Sequence, residues 1–428
     1  MPRLIHWLCV LAMLSMGLAT VAHAATITVR DAVTGAPVAD AIVTFAGAEA
    51  RSDAGGAVRL EGQGDQVMAR AIGYRAVQTS ATDLAKAGGV VKLTPFTPKA
   101  LYLTVYGIGS KSLREGALSL IRTGAANALV IDLKGDKGLV PYPSAAAATA
   151  GPAARKLTTI PDLPALAAEL HRQGVYLIAR IVTFKDDPLA ANHPEWAVHR
   201  GDGGLFRDRE GLAWVDPFRA EVRDYDISLA VEAARAGFDE IQFDYMRFPD
   251  SSARLVLARP STAAARSQAI VDLLTEARRR LTPYNVFLAA DVFGYVCWNR
   301  DDTGIGQQLE AIMPHLDYLS PMLYPSGFQY GIPGVRNPVA NAYAIVRQSL
   351  AEAQSRVKVA PMRFRPWLQA FRDYAFDHRL FDAVEVANQI RAAMDFGSDG
   401  WMLWNARNTY ENTGLALDDG SPVLQACA

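Results

Sequence analysis

Short apolar runs alternate with longer amphipathic stretches from residue 99 onward, which is the pattern of a parallel α/β architecture. The runs predict eight strands, at 101–105, 128–133, 175–182, 240–245, 286–292, 318–323, 357–362 and 401–404. Every predicted strand but the last precedes a stretch with helical periodicity, at 112–123, 163–173, 219–236, 261–281, 306–313, 341–353 and 384–395. A parallel sheet of eight strands over this length is most simply accommodated as a closed barrel. The fold class predicted for 99–428 is therefore α/β, a (β/α)₈ TIM barrel.

The segment before the barrel has a different pattern. Four alternating stretches, at 27–30, 41–45, 57–60 and 67–71, are separated by Gly, Asp and Pro turns, and the one helix-like stretch is 82–87. This pattern predicts a small all-β sandwich domain at 25–95. Pro95 and Pro98 then predict a short stiff linker, which places the domain boundary there.

The first residues have the layout of a secretory signal. An apolar run at 7–21 is followed by Ala22-His23-Ala24, so cleavage is expected before Ala25 and 1–24 is predicted to be a signal peptide. The run is shorter than the ~20 residues of a spanning helix, so no integral membrane anchor is expected, with retention as an anchor left as the alternative. Cys9 lies inside the run, which argues against lipid attachment. The expected location is the periplasm or the cell exterior.

Charge and cysteine content exclude several classes of protein. Lysine plus arginine, 43, nearly balances aspartate plus glutamate, 44, and no long run of one sign occurs, which argues against nucleic acid or an anionic membrane as partner. After cleavage only Cys297 and Cys427 remain, so the core and not a disulfide framework must hold the fold. One bridge between them and two unpaired thiols both stay open.

The predicted strand ends carry the candidate chemistry. In a parallel barrel the C-terminal strand ends meet at one mouth, where catalytic groups lie. The residues at or just beyond these ends are mostly polar or aromatic. They are Tyr106, Asp132, Lys134, Arg180, Asp244, Arg247, Asp291, Tyr324, Arg363, Trp404 and Asn405.

Two aspartates are the predicted catalytic pair. Alternation along the fourth strand turns Gln242 and Asp244 toward the barrel axis, and Asp291 ends the neighbouring strand. Because adjacent strands lie about 4.8 Å apart, the two carboxyl groups can reach the ~5–9.5 Å separations of glycosidases. Asp244 is predicted to be the nucleophile or charge stabiliser and Asp291 the acid/base. The alternative for Asp244 is a structural pair with Arg247 or Arg180.

The remaining candidates suit a sugar ligand. Aromatic faces near strand ends can stack on pyranose rings, and neighbouring polar groups can bind hydroxyl groups. For Asp132 and Lys134, an ion pair with each other is the competing interpretation. Trp298 and Tyr295 are further candidate platforms, whereas Trp401 is expected in the core. The predicted substrate-binding residues are Tyr106, Asp132, Lys134, Arg180, Gln242, Arg247, Tyr324, Trp367, Gln369, Trp404 and Asn405.

No metal or cofactor is predicted. His193 and His199 lie six residues apart in a polar stretch with no helix-spaced carboxylate motif. Asp301 and Asp302 lack the alternation of a calcium loop, and no glycine-rich phosphate loop follows any predicted strand.

Several segments together resemble a bacterial family of glycosyl hydrolases, formerly a domain of unknown function, in the superfamily of barrel-type glycosidases. They include EIQFDYMRFP at 240–249, and the others lie at 130–136, 176–186, 290–294, 320–326, 365–369 and 400–406. The resemblance implies a (β/α)₈ hydrolase acting on a polysaccharide. Ala370 departs from it, since relatives tend to carry aspartate there.

Two weaker resemblances complete the picture. Segments 29–38, 41–43, 52–56 and 72–74 resemble the carboxypeptidase regulatory-like, transthyretin-like sandwich, which implies a structural or substrate-tethering domain. The fourth barrel strand distantly resembles chitinase-type barrels, but Met246 occupies the position of their catalytic glutamate. An acid from another strand, such as Asp291, is therefore required.

The resulting hypothesis is an exported glycoside hydrolase that cleaves an envelope or extracellular polysaccharide with Asp244 and Asp291. The alternative is a glycan-binding barrel without turnover. A deacetylase is disfavoured because the sequence shows no metal triad. Sugar identity, anomer, endo or exo cleavage, retention or inversion and oligomeric state all stay open.

Overall fold

The computed structural model describes residues 24–61 and 64–415. All but the last residue of the predicted signal peptide, Cys9 included, and Cys427 lie outside this part of the chain. Within the described residues, no helix combines the length and apolar character needed to cross a bilayer.

Eight parallel strands close into a barrel in chain order, with the eighth strand pairing with the first. They are β1 (Lys99–Leu103), β2 (Ala128–Lys134), β3 (Tyr176–Val182), β4 (Glu240–Asp244), β5 (Phe287–Phe293), β6 (Tyr318–Met322), β7 (Trp367–Gln369) and β8 (Trp401–Trp404). The predicted TIM barrel is confirmed. Its strands are almost wholly buried because helices cover the outer face and side chains fill the interior.

The surrounding helices follow the predicted ones closely. Side chains of Ser110, Asp162, Thr262 and Asp382 cap four of them by accepting backbone N–H bonds in the first turn. The stretch predicted at 306–313 shortens to one helical turn. The helices are Lys111–Arg122, Leu163–Arg172, Asp187–Asn192, Ala220–Arg235, Ala263–Leu281, Leu309–Ile312, Ala342–Val357 and Ala383–Phe396.

The prediction of the seventh strand at 357–362 is wrong. Val357 ends a helix, Lys358 follows with a φ of 54°, and Pro361 begins a short 3₁₀ turn. The true β7 has only three residues, too few to give a hydrophobic period. Arg363 consequently lies at the opposite end of the barrel from the mouth, where it donates to the backbone oxygens of Leu316 and Asp317.

A buried polar network fills the lower interior of the barrel. Arg365 donates to Glu240 at 2.6 Å and to Asp399 at 3.2 Å, and the Tyr176 hydroxyl donates to Glu240 at 3.0 Å. Buried charges are tolerated when they are paired and hydrogen-bonded in this way. The lower interior of the barrel is therefore a filled core and not an open channel.

The N-terminal domain consists of two small sheets around its own apolar core. One sheet places Ala24–Asp31 between Ala57–Glu61 and Val90–Leu93, and the other has the order Ala48–Arg51, Ile42–Phe45, Gln66–Arg70, Val77–Ser80. One helix, Ala81–Lys86, connects them. The sequence predicted four of these seven strands. Its likeness to the carboxypeptidase regulatory-like family stays a prediction.

This domain docks on the end of the barrel opposite the mouth. Asn285, just before β5, donates to the backbone oxygens of Ala69 and Val77. The hydroxyl of Tyr318, the first residue of β6, accepts from the Gly73 backbone N–H at 3.2 Å. The N-terminal domain therefore leaves the C-terminal strand ends free.

Asn285→Ala is expected to destabilise this interface. Asn285 also accepts a hydrogen bond from Arg70, and its φ of 55° lies in the left-handed region. Losing the amide should cost about 1–3 kcal/mol, and the strain of alanine at this φ adds about 1 kcal/mol. Asn285→Gly, which loses the amide without the strain, should lie between parent and alanine variant in urea unfolding. Parent-like midpoints for both variants would contradict the role of Asn285.

Candidate active site

A cavity of about 980 Å³ opens at the C-terminal ends of the strands. It collects seven of the predicted site residues, which come from five different strands or the loops that follow them. They are Arg180, Asp244, Arg247, Tyr324, Trp367, Trp404 and Asn405.

Arg180 is the centre of the charged floor of this cavity. Its Nε donates to Asp244 Oδ2 at 2.9 Å, its Nη1 to Asp132 Oδ1 at 2.7 Å and its Nη2 to Asp136 Oδ1 at 3.0 Å. The guanidinium is buried and is held on three sides by carboxyl groups. Such charge-assisted contacts fix both partners in orientation as well as position.

Asp244 ends β4 and faces the cavity. Its Oδ2 accepts from Arg180, and its Oδ1 accepts from the backbone N–H of Tyr245 at 2.5 Å. Tyr245 has a φ of 48°, so the chain turns sharply directly after the aspartate. The structure thus holds the Asp244 carboxyl group in one orientation at the mouth. Of the two partners predicted for a structural pair with Asp244, Arg180 forms that pair. The other, Arg247, lies over the rings of Trp214 and Tyr245.

Asp291 lies on β5 with no exposed surface. Its Oδ1 accepts from the indole N–H of Trp367 at 2.7 Å, and its Oδ2 has no hydrogen-bond partner among the described residues. Burial and the nearby charge of Asp244 raise the pKa of Asp291 well above its usual range. A carboxyl group in this environment stays protonated at a pH where an ordinary aspartate is ionised.

One nitrogen connects the two aspartates. Arg180 Nε lies 2.9 Å from Asp244 Oδ2 and 3.9 Å from Asp291 Oδ2. The two oxygens can be no farther apart than these two distances combined, which lies below the upper limit of about 9.5 Å for glycosidase carboxyl pairs. The structure therefore brings the predicted pair together.

Asp132 supports Arg180 and does not reach the cavity. It is buried, accepts from the Tyr102 hydroxyl at 2.6 Å and contacts Arg180. Burial outweighs the attraction of Arg180 and raises the pKa of Asp132 to about 7. The prediction that Asp132 contacts substrate is therefore replaced by a role in positioning Arg180.

Lys134 is also misplaced by the sequence prediction. The pairing of β2 with β3 skips Leu133, and this bulge turns Lys134 away from the barrel axis toward the covering helices. Its ammonium group is fully buried and binds Asp186 at 2.7 Å and Asp226 at 2.6 Å, not Asp132. No part of it lines the cavity.

Three further predicted contacts do not line the cavity. Gln242 lies one layer below Asp244, where its amide donates to Ser320 at 3.1 Å. Gln369 is buried and turns toward the loop after β6, donating to Ser326 at 2.7 Å. Tyr106 is half-exposed in the turn after β1, away from the cavity.

Some of the aromatic candidates line the cavity and others do not. Trp404 stacks on Tyr102 with ring centroids 3.9 Å apart, and Trp367 meets it edge-on at 5.4 Å. Trp298 instead donates to Ser349 on an outer helix, and Tyr295 donates to the Gly331 oxygen, so neither lines the cavity. Trp401 is buried in the core, as predicted.

The cavity also contains residues that the sequence prediction missed. Asp136 lies two residues beyond β2. Its position just after the charged end of that strand could have indicated that it belongs to the site. The group after β7 was hidden by the misplaced seventh strand. The missed residues include Asp136, Glu210, Tyr245, Phe371, Arg372, Tyr374, Arg407 and Glu411.

The described residues contain no group of three or more His, Cys, Asp or Glu side chains placed to hold a metal ion. Cys297 is buried, and burial raises the pKa of its thiol to about 12. Whether Cys297 pairs with Cys427 stays open, because Cys427 lies outside the described part of the chain.

Comparison with known proteins agrees with this architecture. The glycoside hydrolase domain of PgaB (BpsB) from Bordetella bronchiseptica aligns with 73% of this chain and 95% of its own, at 16% identity and a TM-score of 0.53, which shows a shared fold. A hypothetical protein from Ruminiclostridium thermocellum has 36% identity over 45% of this chain and 97% of its own, with a TM-score of 0.40. No curated protein matches the chain. Residues 100–410 match the family described as "Putative glycosyl hydrolase domain", and the chain belongs to this family.

Proposed function

We propose that this protein is an exported glycoside hydrolase that cleaves an envelope or extracellular polysaccharide with Asp244 and Asp291. The observation that carries the proposal is the contact of one Arg180 nitrogen with two carboxyl groups in unlike environments. Asp244 is fixed by donors at the cavity, whereas Asp291 is buried and has a raised pKa. In glycosidases, the acid and the nucleophile are typically two carboxyl groups whose surroundings keep one protonated and the other ionised. Export rests on the signal-like sequence at 1–24.

The two groups divide the chemistry of hydrolysis. Asp291 gives its proton to the glycosidic oxygen as the bond to the anomeric carbon breaks. The Asp244 carboxylate faces the positive charge that develops on that carbon and stabilises it, electrostatically or as a glycosyl ester. Water then supplies the hydroxyl group of the new reducing end and returns a proton to Asp291. Because the Asp291 side chain is unexposed, proton transfer requires a side-chain rearrangement when the sugar binds.

The other cavity residues position the sugar and Asp244. Arg180 holds Asp244 in one orientation, while Asp132 and Asp136 hold Arg180. Trp404 and Tyr324 line the cavity and offer ring faces and edges to a pyranose. Positioning of this kind contributes to rate by keeping the reacting groups in place before the reaction begins.

A glycan-binding protein without turnover is the second candidate, and the complete burial of Asp291 favours it. The test is incubation of the mature protein with peptidoglycan, alginate, cellulose and chitosan, followed by assay of reducing ends and mass spectrometry. Hydrolysis predicts saturated fragments that have gained one water for each bond cleaved. Retention of a polysaccharide with no new reducing ends would favour the binding protein.

Trp367→Phe is expected to move the alkaline limit of activity to higher pH. The indole hydrogen bond favours the ionised form of Asp291, so its removal raises the pKa of Asp291 further and preserves the acid to higher pH. The measurement is kcat/KM against pH for parent and variant on the polysaccharide that the parent cleaves. An alkaline limb that stays in place or moves to lower pH would contradict the assignment.

A further inference from the structure

The loop between β7 and the helix Ala383–Phe396 is built around one buried carboxylate. Asp373 accepts from the Ser326 hydroxyl at 2.6 Å and from the backbone N–H groups of Ala375, Phe376 and His378. Although burial opposes ionisation, these four donors lower the pKa of Asp373 to about 2. The carboxylate is therefore charged at any ordinary pH and holds the loop in one shape.

Hydrogen bonds from β7 and within the loop itself support this shape. Gln369, on β7, donates to Ser326, and its side-chain oxygen accepts the Ser326 backbone N–H at 3.1 Å. The Asp373 backbone N–H donates to the Arg379 oxygen at 3.0 Å. Gln369 thus acts through Ser326 and Asp373. The loop conformation is set by the protein alone and needs no ligand to form.

This rigid loop presents apolar side chains to the cavity. Tyr374 is 58% exposed and Leu380 is 53% exposed, and both line the cavity together with Phe371 and Arg372. Exposed apolar residues on a preformed concave wall mark a ligand-binding surface. No residue in the described part of the chain covers the exposed surface of Tyr374 and Leu380.

The ring faces continue outward from the catalytic pair. Burial, together with the nearby Asp291 and Asp244 carboxyl groups, raises the pKa of Tyr324 well above its usual range, so Tyr324 lies beside the catalytic pair. Phe371 follows with its ring centroid 5.4 Å from Tyr324, and Tyr374 lies parallel to Phe371 at 6.3 Å. The series leads away from Asp244 toward solvent.

We propose that residues 370–381 form a distal sugar subsite, in which Phe371 and Tyr374 bind units of a polysaccharide chain beyond the sugar at Asp244. The inference rests on the proposed function for the same cavity. It names the substrate as a polymer or long oligosaccharide, since a short ligand at Asp244 leaves the loop unused. Arg372, exposed beside the rings, supplies N–H donors to the hydroxyl or acidic groups of the same units.

The test measures affinity against ligand length in the Asp244→Asn background, where ligands are not consumed. The ligands are size-separated ladders from partial acid hydrolysis of peptidoglycan, alginate, cellulose and chitosan. Tyr374→Ala should weaken binding of the long members about tenfold and leave the shortest binding members unchanged, whereas Tyr374→Phe should bind like the parent. The matched control is Tyr330→Ala, since Tyr330 is 91% exposed and does not line the cavity.

An equal loss at every length, no loss at any length, or no binding of any ladder would overturn the proposal. This test of the distal subsite can succeed or fail independently of the test of the proposed function. If the parent releases no reducing ends but Tyr374→Ala still shows length-dependent weakening, hydrolysis fails and the distal subsite stands. If the parent hydrolyses a polysaccharide and Tyr374→Ala binds all lengths normally, hydrolysis stands and the distal subsite fails.

Discussion

Asp291→Asn is expected to lower kcat/KM for polysaccharide hydrolysis by a factor on the order of 10² to 10⁴, the usual contribution of a positioned acid. The acid works in its protonated form, which is present below its pKa. Because burial and Asp244 raise that pKa well above the usual range, the parent should stay active at pH values where an ordinary aspartate is ionised. Asparagine has no proton to lose at this position, so the alkaline limb assigned to Asp291 should disappear from the pH profile.

Asp317→Asn provides the matched control. Asp317 is also a buried aspartate, paired with Arg278 at 2.8 Å, but it lies at the opposite end of the barrel. Its replacement should lower stability and leave the activity of the folded protein and its pH profile unchanged. If Asp291→Asn kept the parent rate, or kept the same alkaline limb, Asp291 would not be the acid.

Arg180→Met is expected to lower the free energy of unfolding by about 3–5 kcal/mol at pH 8. The change removes the cation that contacts Asp132, Asp136 and Asp244, and leaves their charges uncompensated in a buried site. The loss should shrink at pH 5. The pKa of Asp132 is already about 7 and rises further without Arg180, so at low pH this group is neutral in the folded protein. A carboxyl group with a raised folded pKa stabilises the fold below its unfolded pKa and loses that contribution as pH rises through the folded value.

The measurement is urea unfolding of parent and variant at pH 5 and pH 8. Arg279→Met is the control, because Arg279 is 70% exposed in its pair with Glu276 and its loss should leave the urea midpoint nearly unchanged at both pH values. Parent-like stability of Arg180→Met at pH 8, or a larger loss at pH 5 than at pH 8, would contradict this role of Arg180.

The barrel could be predicted because its strands are buried on both faces and so appear as continuous apolar runs. The seventh strand could not, because three residues carry too little pattern and the apolar residues of 357–362 belong to a helix end, the link that follows it and a 3₁₀ turn. Because the seventh strand was misplaced, Arg363 was predicted at the mouth, which is the wrong end of the barrel. In the N-terminal domain, three strands of four residues each were missed.

The site was predicted where strand alternation held and missed where it broke. Asp244 ends a regular strand, Asp291 lies two residues before the end of its neighbour, and both lie where the period-two rule places them. Lys134 was predicted on the wrong side of its strand because of a bulge, which no local sequence pattern indicates. Gln369 shows a different failure, since its partner Ser326 comes from another loop and only the tertiary structure reveals the contact.

Docking of the N-terminal domain at the far end of the barrel has a consequence for function. Its contacts with Asn285 and Tyr318 lie at the N-terminal ends of β5 and β6. A long glycan can therefore lie across the mouth without meeting this domain. The cavity wall is formed instead by the barrel's own strand ends and loops, the loop 370–381 among them.

The central claim is that a polysaccharide bound at this cavity is hydrolysed through Asp244. The most direct test measures binding and reducing-end release on the same polysaccharide for the parent and for Asp244→Asn, side by side. The account predicts that both proteins bind with similar affinity and that only the parent releases reducing ends. Binding by both with release by neither would contradict hydrolysis and identify the barrel as a glycan-binding protein, and equal release by both would remove Asp244 from the mechanism.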